Sequence, residues 1–178
     1  QTAGKPFAVF VRALDRFGNR TKGFLPAEGS SVRYTRQDFS SGTWMEEMVV
    51  TKAQDACVIE ISDTFGHTGR SNPFEVKPGP ASGIVAELPA VAVRGVPVRI
   101  PVWVTDAYGN RASSAGITLS WKISDASAGI DVRSDEKYSL VLDVTFGQVG
   151  PQTVTVRDEA GVLTPAERTI SVVAEAGR

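Results

Sequence analysis

The sequence predicts an all-β chain: two antiparallel β-sandwiches in tandem. Three observations carry the prediction. Apolar and polar residues alternate at a period of two, in stretches rich in Val, Ile, Thr and aromatic residues. Glycine and proline, 17 and 10 in number, fall mainly between those stretches, where turns need them. The stretch "ALDRFGNR" (Ala13–Arg20) returns as "VTDAYGNR" (Val104–Arg111), so one module is written twice. No segment shows sustained helical spacing.

Gly4–Arg20 overlies Gly95–Arg111 without a gap at an offset of 91, with identical Gly4/Gly95, Pro6/Pro97, Val11/Val102, Asp15/Asp106, Gly18/Gly109, Asn19/Asn110 and Arg20/Arg111. Further along, Trp44–Thr51 lies over Tyr138–Thr145, Ile59–Gly66 over Val154–Gly161, and Phe74–Val76 over Ile170–Val172. The drift in offset is expected in loops, where insertions cost little. The Pro-Gly-Pro of "VKPGPASG" (Val76–Gly83) marks the boundary and predicts domains over 1–78 and 79–178. Its prolines restrict the backbone, so limited bending is expected. Gly83–Pro89 precedes the matched region, and its counterpart would fall ahead of Gln1. The first domain is therefore expected to lack its opening strand, and "QTAGKPF" reads as cut from something longer. An uncovered sheet edge there would invite strand addition from another chain.

The elements follow in order. In the first domain Phe7, Val9, Val11 and Ala13 form one inner face, and "ACVIEISD" is expected to bury Cys57, Ile59 and Ile61. The second domain reads as strands over 84–88, 97–105, 117–123, 129–132, 137–145, 151–157 and 168–174. Val98, Ile100, Val102 and Val104 point one way, and Arg99, Pro101, Trp103 and Thr105 the other. Ile117, Leu119, Trp121 and Ile123 share a face; Leu140, Leu142, Val144, Val154 and Val156 are expected in the core. Seven short alternating strands in such a length read as a sandwich of immunoglobulin type, with Trp121 at the buried tryptophan position of the third strand.

The repeated turn has local chemistry. Asp15 and Asp106 can accept from N–H groups two residues on. Gly18 and Gly109 supply a positive φ. Asn19 and Asn110 tolerate the left-handed region. Phe17 and Tyr108 are expected to fold over the end of each sandwich.

At these residues the chain resembles bacterial immunoglobulin-like domains of the invasin and intimin kind. The resemblance rests on Asp-x-x-Gly-Asn after an early strand and on "GPQTVTV" (Gly150–Val156) as a late one. It covers most of the second domain and part of the first. Such domains repeat in adhesins, S-layer proteins and large secreted enzymes. The resemblance implies an extracellular or cell-surface location, with the periplasm as the alternative, and a role in spacing and presenting other parts.

Composition narrows the function classes. The formal net charge is −1, from 19 basic and 20 acidic residues, which gives no pull toward nucleic acid. No apolar run approaches the roughly 18 residues of a membrane span. Cys57 and His67 are the only residues of their kinds, so no internal disulfide and no common zinc spacing can form. A Ser-His-Asp triad would need His67, whose sequence neighbours Ser62, Asp63 and Ser71 do not make one. The pairs Glu46/Glu47, Asp135/Glu136 and Asp158/Glu159 are adjacent and face opposite sides of a strand. Calcium could use Asp15, Asn19 and Asp63, or Asp106, Asn110 and Asp158, but such a site wants six or more ligands and turn capping accounts for the same residues. No metal and no cofactor is therefore assigned. Outward apolar residues are the interaction signal: Phe10, with Leu14, on one strand, Trp103 on the corresponding strand, and Phe24, with Leu25, in a long loop. Local packing under a neighbouring loop is the alternative for each.

The reading is a non-enzymatic structural or spacer segment whose partners are neighbouring domains of the same polypeptide. The alternatives are a carbohydrate- or protein-binding module using Phe10, Phe24 or Trp103, and an accessory domain of a multidomain enzyme.

Overall fold

The computed structural model describes residues 1–21, 42–62, 66–135 and 139–174, with only the backbone of Glu46. Among these residues there is no helix. The described residues form fourteen strands, and the chain divides into two compact units, Gln1–Pro78 and Gly79–Arg178. The all-β immunoglobulin-like class is the one the alternation predicts.

The second unit is the fuller sandwich. One sheet orders β11 (Gly129–Arg133), β12 (Leu140–Thr145), β9 (Pro97–Thr105) and β7 (Gly83–Ala86), antiparallel throughout. The other orders β10 (Leu119–Ile123), β13 (Gly150–Asp158), β14 (Ala166–Val173) and β8 (Val91–Val93). β8 runs parallel to β14, whereas the other neighbours in that sheet are antiparallel. Inward residues of both sheets meet in one core. Ile100, Val102, Val104, Leu142, Val144, Val154, Val156 and Ile170 are fully buried there. Period-two alternation delivers this, because each strand sends every second side chain to the same side.

The first unit repeats the plan. β1 (Phe7–Arg12) pairs with β2 (Thr43–Met48) as β9 pairs with β12. β3 (Gln54–Cys57) pairs with β6 (Phe74–Val76), and β4 (Glu60–Ser62) with β5 (Thr68–Arg70). A parallel bridge joins Thr2 to Lys77, matching the end of the β8–β14 ladder. Its core gathers Ala13, Trp44, Met48, Ile59 and Ile61, with Phe7 edge-on to Phe74 at 5.7 Å.

Several expectations are corrected. The overlay of the two modules set Met48 on Leu142. The ladders instead place Met48 against Phe7 as Val144 sits against Val98, a slide of two residues that keeps the inward face. The drift is not confined to loops: the β3–β6 register shifts between Gln54 and Cys57. "ACVIEISD" is two strands rather than one. The Ile59 N–H bonds the Ser71 hydroxyl at 3.0 Å, and Pro73, lacking an N–H, breaks the facing strand. Cys57, Ile59 and Ile61 are nevertheless buried. β8 lies in a stretch expected to be loop. Trp121 is half-buried against the core, and Phe146, just past β12, takes a fully buried place instead.

Candidate functional site

The repeated turn is the best-built feature in both units. Asp106 is 4% exposed. Its Oδ1 accepts from the backbone N–H groups of Tyr108 and Asn110, each at 2.9 Å, and its Oδ2 from the Asn110 Nδ2 at 2.8 Å. Gly109 turns the chain at φ 81°. In the first unit Asp15 Oδ1 accepts from Phe17 and Asn19, Oδ2 from the Asn19 side chain, and Gly18 has φ 83°. Among the described residues no non-glycine has a positive φ. The asparagines are therefore there for their side-chain amide, which ties the carboxylate, and not for the left-handed region. Phe17 and Tyr108 do not fold over the sandwich ends; they are 73% and 51% exposed.

One bond distinguishes the second copy. Asp106 Oδ2 also accepts from the N–H of Gly79, at 2.8 Å. Two more contacts fasten the segment after it: Ser82 N–H to the Thr105 carbonyl at 2.8 Å, and Thr164 N–H to the Ser82 carbonyl at 2.9 Å. On the other side Lys77 is held within its own unit. It donates to the Gln1 carbonyl at 2.9 Å and accepts from the Ala3 N–H at 2.8 Å. Pro78 alone lies between these two sets of bonds.

The carboxylates in these caps are held ionised. For Asp106 burial opposes charge, but the Asn110 amide and the N–H groups of Gly79, Tyr108 and Asn110 outweigh it and keep the pKa low. The Asn19 side chain does the same for Asp15, and the Val162 N–H leads for Asp158. The strongest case is Asp125, which no local motif announces. It accepts from the Ser127 hydroxyl and N–H and from the N–H groups of Gly147 and Gln148. The Ser127 hydroxyl is the largest cause of a pKa lowered to about 2. Gly147 is required there, since a Cβ would meet the Ser127 Oγ at 2.4 Å.

The other candidates do not converge. Asp158 uses its oxygens on Val162 and Leu163, inside its own loop. Asp63, Phe24 and Leu25 lie outside the described residues. Among those described, no three His, Cys, Asp or Glu side chains gather to hold a metal ion. His67 immediately precedes β5, and the Ser71 hydroxyl donates to the Asn72 carbonyl. Asp135 pairs with Arg99 at 2.9 Å, and Arg133 pairs with Asp143. Phe10 is 66% exposed opposite Met45, itself 58% exposed, on the outer face of β1 and β2. Leu14 is exposed on the same side. Trp103 is half-buried, and the Arg111 guanidinium stacks on its ring at 4.6 Å.

No family model matches the chain, and no curated protein matches it. Solved structures do. The Escherichia coli adhesin FdeC is 17% identical with a TM-score of 0.44, over 97% of this chain and 60% of that one. Domains 4 and 5 of the S-layer protein SbsC are 16% identical with a TM-score of 0.41, over 71% and 67%. A glycosyl hydrolase family 2 member from Bacteroides cellulosilyticus is 18% identical with a TM-score of 0.45, over 77% of this chain and 20% of that one. The chain thus spans three fifths of the adhesin structure and one fifth of the hydrolase.

Proposed function

We propose that this chain is a non-catalytic spacer of a bacterial cell-surface or secreted protein. In this reading Gln1–Pro78 and Gly79–Arg178 are two domains that hold an adhesive or catalytic part at a set distance. The observation that supports it is the joint. Hydrogen bonds reach Lys77 from one unit and Gly79 from the other. A single proline with fixed φ is left to rotate, and its ring limits that rotation. Antiparallel ladders carry tension along the chain, and Asp106 caps Gly79 at the start of the second unit.

The test is backbone 15N relaxation on the 178-residue chain. Both units should tumble with one shared correlation time, and inserting Gly-Ser-Gly-Ser after Pro78 should split it into two shorter ones. Independent tumbling of the unaltered chain would refute the spacer.

A second reading draws on the exposed Phe10–Met45 pair: a binding module for surface glycan or protein, with Trp103 and Phe24 as further contacts. Glycan arrays and pull-downs comparing the chain with Phe10→Ala and Trp103→Ala separate the two. Binding lost in either variant favours the module, and no binding favours the spacer.

A further inference from the structure

We propose that a cleft in the second unit docks a partner-protein segment that offers one bulky apolar side chain beside a lysine or arginine. The cleft has a volume of about 390 Å³ and is lined by Ala81, Ile117, Thr118, Glu159, Val162 and Leu163. That volume falls within the range of about 300–1,000 Å³ typical of binding pockets.

The walls come from three stretches distant in sequence, and hydrogen bonds tie them together. The Glu159 N–H donates to the Thr118 carbonyl at 3.0 Å. The Thr164 N–H donates to the Ser82 carbonyl, and the Ile84 N–H to the Thr164 carbonyl, each at 2.9 Å. Ala81 is thereby held beside the Val162–Leu163 stretch. Within that loop the Asp158 carboxylate accepts from the Val162 N–H at 2.8 Å and the Leu163 N–H at 3.0 Å. Gly161 turns the loop at φ 68°, and Gly116 turns the facing one at φ 76°. Walls fixed before a ligand arrives lose little freedom on binding, which favours affinity.

The lining grades from apolar to acidic. Leu163 is 8% exposed, and Ala81 and Ile117 are half-buried against the core. Val162 is 77% exposed, so its two methyl groups are available to a partner. Two carboxylates border the cleft, Asp158 and Glu159, and among the described residues no lysine or arginine lines it. Asp158 is occupied by the two N–H groups of its own loop, which leaves the exposed Glu159 to meet a cation. An apolar side chain fills the floor, a neighbouring cation pairs with Glu159, and an acidic segment is repelled. A sugar fits poorly, because Ala81, Ile117, Val162 and Leu163 offer its hydroxyls no side-chain partner. The inference concerns the second unit alone and does not depend on the spacer reading.

The experiment is an NMR titration of the 15N-labelled 178-residue chain. The probes are four acetylated, amidated tripeptides: Lys-Leu-Lys, Lys-Ala-Lys, Ser-Leu-Ser and Glu-Leu-Glu. Lys-Leu-Lys should shift the Thr118, Gly161 and Val162 amides saturably, with a dissociation constant of about 1 mM. Lys-Ala-Lys and Glu-Leu-Glu should bind about tenfold more weakly or not at all. Val162→Ser should weaken Lys-Leu-Lys about fivefold. Glu159→Gln should weaken it about threefold and leave Ser-Leu-Ser unchanged. Both positions are exposed, so both variants should keep the parent melting temperature. Lack of saturation by about 20 mM Lys-Leu-Lys overturns the proposal. Equal binding of Glu-Leu-Glu, or no effect of Glu159→Gln, overturns the charge selection on which it rests. Shifts of the same amides that follow protein concentration without peptide overturn it in favour of a second copy.

Discussion

Protonating Asp125 would weaken four acceptor contacts at once: two from Ser127 and one each from Gly147 and Gln148. Its folded pKa, about 2, lies below the ordinary 3.8. A depressed carboxylate adds stability that is complete above the unfolded value and lost as pH falls through the folded one. The second unit should therefore hold its melting temperature down to the ordinary value of 3.8 and lose it progressively from there to about 2. Asp125→Asn should lower stability at neutral pH and flatten that acid limb, which thermal melts across a pH series would show. Asp106→Ala removes a buried, charge-assisted cap and should cost about 2–3 kcal/mol in urea denaturation. The same variant should speed amide exchange at Gly79. The sequence made one of these aspartates readable and hid the other. Asp106 acts on residues within four positions, plus Gly79, so Asp-x-x-Gly-Asn announces it. Asp125 reaches across to Gly147 and Gln148, brought near only by the packing of β10, β11 and β12.

The period of two made strand faces legible and register much less so. Sliding one strand by two residues returns the same inward set, so hydrophobic pattern cannot tell Leu142 from Val144 as the counterpart of Met48. Only the ladder distinguishes them. β8 escaped notice for a different reason: three residues between turns give too short an alternation to stand out. Yet Ala92 in that strand is 4% exposed and lies in the main core cluster. Ala92→Asp places a carboxylate among apolar side chains and should cost roughly 2–5 kcal/mol, read from the urea midpoint of the second unit. The outer-face candidates divide in the same way. Phe10 stands exposed as alternation requires, whereas Trp103 on the matching strand is stacked by Arg111, a partner that comes from the far side of the turn.

Taken as a whole, the molecule repeats one plan, fastening included. In the second unit β8 lies parallel to the last strand over Val91–Val93, partnered by Ser171–Val173. In the first unit Thr2 bridges Lys77 in the same sense, with the Gln1 amine on the Glu75 carbonyl at 2.7 Å, the Lys77 N–H on the Gln1 carbonyl at 2.9 Å and the Ala3 N–H on the Lys77 carbonyl at 2.8 Å. Pulling on the two ends of such a parallel pair loads its bonds in shear, so they must fail together rather than peel one by one. In an optical trap at constant loading rate, each unit should then rupture in a single step. Stepwise peeling within either unit would show that the clasp does not bear the load. A chain fastened this way would meet a sudden load as a shock absorber, in which a unit gives way whole and lengthens instead of fraying.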